Sequence, residues 1–257
     1  MADVRSALRA ASVGELAWLN GDGRPDALPA TPLLLDDAPA VAYSYAYRAL
    51  ALRIAASPTV ALVVSDPRMT GSGWEPVAVV GRPRLIEDDD GVFVAEKILT
   101  QELRKYPPSR ALADSIMLRT ENWWYVPRLI IALEQLTAID VAARSTADQV
   151  LAVIGPDGLF VDTVKVDNPD ADEIAVTSLA GRSAQPGPAV LLGHDFSEPD
   201  LERWTPWVTR GRYTQSGVLR VDEHPERTTL EPVLKLRQRY RKHRELQKAC
   251  IAELKAR

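Results

Sequence analysis

A chain of 257 residues has room for one large domain or two ordinary ones. Its apolar share of 46% is too high for disorder, and a net charge of −4 provides no global field to attract nucleic acid. A single cysteine, Cys250, excludes an internal disulfide framework and a cysteine-rich metal site and suits a cytoplasmic location, and no run reaches the roughly 18 apolar residues of a membrane span.

A short helix is predicted over Val4 to Ala11. Glu15–Asn20 and Asp26–Leu35 read as strands of a hairpin, with Asp22-Gly23 as the turn signal. Pro39–Tyr45 is a third strand. Ala49–Ala56 is rich in helix formers and stops at Ser57-Pro58. Thr59–Ser65 carries apolar residues at nearly every position, which predicts a strand buried on both faces. Trp74–Leu85 is a further strand. Helical segments follow over Val92–Tyr106 and Ser109–Arg119, and Asn122–Leu133 reads as a long strand in which Pro127 marks a bulge or an edge.

The second half repeats the first. Leu151-Ala-Val-Ile-Gly-Pro-Asp-Gly158 parallels Leu16-Ala-Trp-Leu-Asn-Gly-Asp-Gly23. Glu173–Ser178 parallels Ala40–Tyr45, and Pro188–Asp195 parallels Thr59–Asp66. Trp74-Glu-Pro with Gly81-Arg82 returns as Trp204-Thr-Pro with Gly211-Arg212. Four features in one order at offsets of 129 to 135 indicate duplication of a domain, not a short-repeat array. The expected units are 1–140 and 141–257. One difference is informative: where the first half has the Ala49–Ala56 helix, the second has only Ser183–Ala189, a proline-glycine loop. Residues 226–257 carry a net charge of +6, leaving −10 on the rest. Apolar residues at Leu236, Tyr240, Leu246, Cys250 and Leu254 predict an amphipathic helix over Glu231–Leu254 with Leu236, Tyr240 and Leu246 facing protein.

This order of strands, with one short helix after the third, resembles the FMN-binding split barrel, or pyridoxamine 5′-phosphate oxidase-like, superfamily. The residues that carry the resemblance are Asp22-Gly-Arg-Pro25, Pro29–Leu35, Tyr43-Ser-Tyr45, Ser57–Val64 and Val79-Val-Gly-Arg82. They cover Glu15 to about Leu136 well and 150–220 mainly through the repeat. The resemblance implies a mainly β fold of two tandem split barrels with peripheral helices and a C-terminal helix. It also implies that the chain supplies both partners of a barrel pair, an intrachain pseudo-dimer, with a homodimer left open.

In that superfamily a flavin lies in the groove between barrels, its phosphate where the third strand runs into the helix. Carried onto this chain, the cofactor-binding candidates are Tyr43, Ser44, Arg48 and Arg53, with Thr31 and Leu33 against the ring. Hydroxyls, cations and N–H groups at a helix start are what a phosphate needs. Flavin-binding members commonly place Lys or Arg in the first turn of that helix. Here that position falls at Ala49 or Leu50, with Arg48 one step away and Arg53 one turn inside. The second barrel, lacking the helix, is the degenerate site.

The implied activity is flavin-type redox chemistry with FMN or the deazaflavin F420, transferring hydride to a small-molecule substrate. No catalytic acid or base stands out. Two other classes remain open: a non-enzymatic binding protein that has lost its cofactor, and a haem-binding barrel with His194 as axial ligand. His194 otherwise reads as a strand-end residue bonded to Asp195. No histidine or cysteine spacing suggests a structural metal site. No phosphate loop or nucleophile elbow is present, and neither a nucleic-acid nor a membrane partner is expected.

Overall fold

A computed structural model describes residues 3–256. Helix α1 (Val4–Ala10) is capped by Asp3, whose carboxylate accepts from the Arg5 amide at 3.1 Å. Strands β1 (Gly14–Leu19), β2 (Pro25–Ala30), β3 (Leu33–Leu35) and β4 (Ala38–Ser44) follow. One 3-10 turn (Tyr45–Tyr47) leads into α2 (Arg48–Ala55), then come β5 (Val60–Val64) and β6 (Val77–Asp88). Four short helices, α3 (Val92–Lys97), α4 (Leu99–Lys105), α5 (Arg110–Ala113) and α6 (Ile116–Glu121), precede β7 (Arg128–Asp140). The second unit contains β8 (Gln149–Gly155), β9 (Gly158–Asp167), β10 (Glu173–Ser178), β11 (Gly187–Phe196), β12 (Trp204–Tyr213) and β13 (Val218–Glu223). Helix α7 spans Leu236–Lys255. No helix among the described residues is long and apolar enough to cross a membrane.

The fold is mainly β, two tandem barrel-like units with peripheral helices. Strand order in the first sheet is β2-β1-β5-β6-β7-β4-β3; in the second, β10-β13-β12-β11-β8-β9 closes on itself. The orders are the same once β9 is matched to β2 plus β3. The duplication extends to register. Leu16 faces Leu62 and Val60 faces Gly81; at the repeat positions Leu151 faces Leu191 and Ala189 faces Gly211. Gly81 and Gly211 both sit at a bulge, where a side chain would strike backbone oxygen: a Cβ would lie 2.6 Å from the Glu134 carbonyl and 2.0 Å from that of Arg220. Trp74 and Trp204 are less alike, because β6 begins three residues after Trp74 whereas Trp204 opens β12.

The units differ where one strand is broken. In the second barrel β9 runs unbroken and pairs with both β8 and β10. In the first, the expected Asp26–Leu35 strand parts at Thr31-Pro32: β2 pairs with β1, and β3 pairs with β4. Proline has no N–H to give a ladder, and Pro29 and Pro32 bracket the break. β3 then turns back through Asp36-Asp37, both with positive φ (46° and 73°), the geometry of a two-residue hairpin.

Burial on both strand faces has a direct cause. Leu16, Trp18, Leu62, Val64, Val77 and Val79 point into the first core. Their neighbours Ala17, Ala61, Val63 and Ala78 point the other way, against Val150, Ala152, Val190 and Leu192 of the second barrel. Alternation with period two gives each strand one face for its own barrel and one for the seam.

Three expectations are corrected. The Asn122–Leu133 strand begins only at Arg128, since Trp123 and Trp124 lie in the turn after α6; β7 is interior, flanked by β6 and β4, and Pro127 stands just before it. The tail helix starts at Leu236, beyond Pro232, and its first turns leave their apolar side chains exposed, Leu236 83% and Tyr240 64%, while Arg239 pairs with Glu202 at 2.7 Å. Nor does it stay with residues 141–257. Leu246, Cys250, Ile251 and Leu254 pack into the first unit's core, and His243 meets Trp124 edge-on with rings 5.5 Å apart.

Candidate functional site

The broken strand opens a groove. Its cavity of about 430 Å³ lies between Leu28–Thr31 and Leu33 on one side and Val41–Ser44 of β4 on the other. That volume is in the usual range for small-molecule sites, roughly 300–1,000 Å³. Tyr47 and Leu50 edge it, and Glu102, Tyr106, Tyr125 and Arg128 form its polar side. Two distant segments complete the wall: Trp204 and Pro206 from β12, and Leu246 from α7. The Tyr106 and Trp204 rings meet at a tilt of 41° with centroids 6.5 Å apart, bringing the two units together at the groove.

Its polar side is a buried ion pair with one loose end. Arg128 Nη2 donates to Glu102 Oε1 at 2.8 Å, and the Ser109 hydroxyl donates to the same oxygen at 2.6 Å. The Ser109 and Tyr125 hydroxyls lie 2.7 Å apart, and the Arg128 guanidinium sits 4.1 Å over the Tyr125 ring. Burial alone would raise the Glu102 carboxyl. The charge of Arg128, with hydrogen bonds from Arg128, Ser109 and Tyr125, outweighs burial and holds it below the ordinary carboxylate range. Glu102 Oε2 is buried without a partner, and so is the Tyr43 hydroxyl. Burial raises the Tyr43 phenol above its ordinary range, so it stays protonated.

Of the residues expected at the site, Thr31, Leu33, Tyr43 and Ser44 line the cavity. Arg48 and Arg53 do not. Arg53 is exposed on α2. Arg48 is half-buried at the start of α2, beside the groove residue Tyr47, and its Nε has no hydrogen-bond partner. In the second unit Arg182 is spent internally, donating to the Val161 carbonyl at 2.8 Å and stacking over Phe160. Glu102, Tyr106, Tyr125, Arg128, Trp204 and Leu246 were not expected. Trp204 carried a signal through the repeat, and Leu246 through the apolar spacing of the tail, which marked it as facing protein without saying where.

His194 is not at a strand end and does not bond Asp195. It lies inside β11, fully buried in the seam. Nδ1 accepts from the Trp204 indole at 3.1 Å, and Nε2 lies 2.7 Å from Glu15 Oε1 and 2.6 Å from Arg144 Nη2. Burial, with the adjacent Arg144 charge, lowers the ring's affinity for a proton. With both nitrogens engaged, the ring has none to offer an iron. Glu15 is held in turn by Arg144 Nη2 at 2.7 Å and Nε at 3.2 Å. Arg144 also lies 3.3 Å from Asp66. Arg68 then ties together Asp66 (2.8 Å) and its repeat counterpart Asp195 (2.7 Å).

No family model matches the chain, and no curated protein does. Among solved structures, a heme-binding protein from Mycobacterium smegmatis matches at 14% identity over 96% of each chain, with a TM-score of 0.33. HutZ, the heme storage protein of Vibrio cholerae, matches at 12% identity over 53% of this chain and 91% of its own, with a TM-score of 0.37. A pyridoxamine 5′-phosphate oxidase-related, FMN-binding protein from Nostoc punctiforme matches at 12% identity over 80% of this chain and 88% of its own, with a TM-score of 0.29.

Proposed function

We propose that the groove of the first barrel holds a planar flavin-type cofactor, FMN or the deazaflavin F420, in a cytoplasmic protein that transfers hydride to a small molecule. The observation that carries this reading is the groove itself: aromatic and aliphatic walls from both units, with the Glu102–Arg128 ion pair along one side. A heteroaromatic ring with polar edges suits such a slot, flat against Leu33, Val41 and Trp204. The phosphate end would lie past Ser44 at the edge formed by Tyr47, toward the start of α2, where Arg48 stands beside the groove and its guanidinium would have to turn in to meet it. When bound, the cofactor supplies the redox chemistry; the protein binds, orients and excludes water. The seam between the units takes the place of a dimer interface, so one chain builds the site.

Haem is the second reading. Within the groove Tyr43 offers an unpartnered oxygen as axial ligand, although burial keeps that phenol protonated and opposes ligation.

The test is the visible spectrum of the purified protein, followed by titration of FMN, F420 and haem into wild type, Arg48→Ala and Arg182→Ala. Arg48→Ala is expected to weaken FMN or F420 by about 10- to 150-fold, the scale of one charge-assisted hydrogen bond. Arg182→Ala should change little. Equal losses from both variants would reject the placement, and no binding of any ligand would leave the non-enzymatic reading.

A further inference from the structure

We propose that this protein pairs with a second copy of itself through a surface outside the barrel seam: the exposed start of α7 in each copy docks on α6 and the Trp123 turn of the other. The proposal does not depend on what the groove holds.

Two exposed apolar patches carry it. One is built on α6 and its flanks, where Ile116 is 77%, Met117 67% and Trp123 52% exposed. Ile116 and Trp123 border a shallow cavity of about 240 Å³ with Val126 at its floor and Asp90 at its edge. The other patch is the start of α7, with Leu236 and Tyr240 exposed and Val233 just before them 63% exposed. Leu236 and Tyr240 begin the apolar stripe that Leu246, Cys250 and Leu254 continue, but only the later residues reach the first unit's core. A lone exposed apolar side chain needs no explanation; a cluster of them marks a surface that meets something.

The occupant follows from charge. Arg237, Arg241, Arg244 and Lys248 recur at steps of three and four, an exposed basic stripe beside Tyr240. The α6 patch is flanked by exposed carboxylates instead: Asp90 at the cavity, Asp114 just before the helix and Glu121 at its end, against one cation, Arg119. A nucleic acid or an anionic membrane would suit the first patch and be repelled by the second. A second copy offers each patch its complement, and the +6 of residues 226–257 attracts the −10 of the rest. The patches are also neighbours, since His243 of α7 meets Trp124, next to Trp123, with rings 5.5 Å apart. A two-fold axis between them makes both contacts at once.

The test is sedimentation velocity of the full-length protein over a concentration series up to about 100 µM, where a contact with micromolar Kd is largely formed. Wild type is expected to dimerise, and added salt to weaken the dimer. Trp123→Glu and Tyr240→Glu, both at exposed positions, should each weaken it by about tenfold or more. Proximity is read separately with a short bismaleimide on a mixture of Thr120→Cys and Leu236→Cys; the native Cys250 is buried and stays silent. The mixture should crosslink into heterodimers, and this readout decides alone should a glutamate variant not fold. A monomer throughout the series overturns the proposal. So does a dimer that either glutamate variant leaves intact, which places the contact elsewhere. A monomer that binds phosphatidylserine vesicles through Tyr240 also overturns it and makes α7 a lipid-binding helix.

Discussion

Replacing Arg144 with methionine tests the seam between the barrels. Arg144 is fully buried in the linker between β7 and β8, where its amide also bonds the Ser65 carbonyl at 2.9 Å. Methionine keeps much of the length and removes two hydrogen bonds to Glu15 Oε1 together with the ion pair to Asp66. Asp66 retains Arg68, so the loss falls on Glu15. Removing one partner of a buried pair costs about 3–5 kcal/mol, because the other charge stays behind uncompensated. That is the expected loss at pH 7 in urea unfolding followed by tryptophan fluorescence.

Acid should shrink the deficit. In wild type the Glu15 carboxyl is held below its ordinary value: burial would raise it, but Arg144 and His194 outweigh burial. A carboxyl depressed in the folded state contributes stability above its unfolded pKa and loses it as pH falls through the folded one. Without Arg144, burial wins and the folded value rises above the unfolded one. Glu15 is then destabilising at pH 7 and relieved by protonation. His194 acts in the same direction. Its proton affinity in wild type is depressed by burial and by Arg144, so wild type loses stability as pH drops below the ring's ordinary value of 6.5. The variant loses less. The difference between the two proteins should therefore narrow from pH 7 toward pH 4.5. A deficit under about 1 kcal/mol at pH 7, or one that widens in acid, refutes an Arg144-compensated Glu15.

Two further outcomes are expected. Gly81→Ala and Gly211→Ala should each destabilise by about 1–3 kcal/mol, with Gly211→Ala the worse, since its Cβ would meet a backbone oxygen at 2.0 Å against 2.6 Å; thermal melts with Gly21→Ala, which meets nothing, as control would expose an error. Cys250 should resist thiol reagents in the native protein and react quickly after Leu246→Ala and Leu254→Ala together loosen α7, whereas prompt labelling of wild type would mean the helix is not docked.

The fold was legible because its signals are local or periodic. The repeat aligns Leu16 with Leu151 and Leu62 with Leu191, and the structure gives the aligned positions the same partners, Leu16 facing Leu62 and Leu151 facing Leu191. The apolar run after Ser57-Pro58 predicts a strand buried on both faces, and the seam supplies the second face. The groove's aliphatic and hydroxyl side, Thr31, Leu33, Tyr43 and Ser44, came from one contiguous stretch and could be carried from the resemblance. The rest could not. Glu102 sits in Gln101-Glu-Leu-Arg-Lys105, which reads as an ordinary charged helix face, and only the fold brings Arg128 against it. Glu15 opens an apolar strand and Arg144 lies in a linker, 129 residues apart, so nothing local pairs them. The tail's apolar spacing gives an amphipathic helix, yet spacing does not say which surface will receive it or that Leu236 and Tyr240 will stay exposed.

The wall of the groove has an unusual assembly order. Leu28 and Tyr43 are made early, Trp204 much later and Leu246 near the end of the sequence, yet all border one cavity. A nascent chain that stops after β7 holds every strand of the first sheet and lacks Trp204, Pro206 and Leu246. If the groove holds a ligand as proposed, its complete wall exists only once synthesis has passed Leu246 and both units have docked. In vivo, an occupied groove would act as a proofreading mark: chains stalled or clipped upstream of α7 would be left without the added stability that a bound ligand gives the native state.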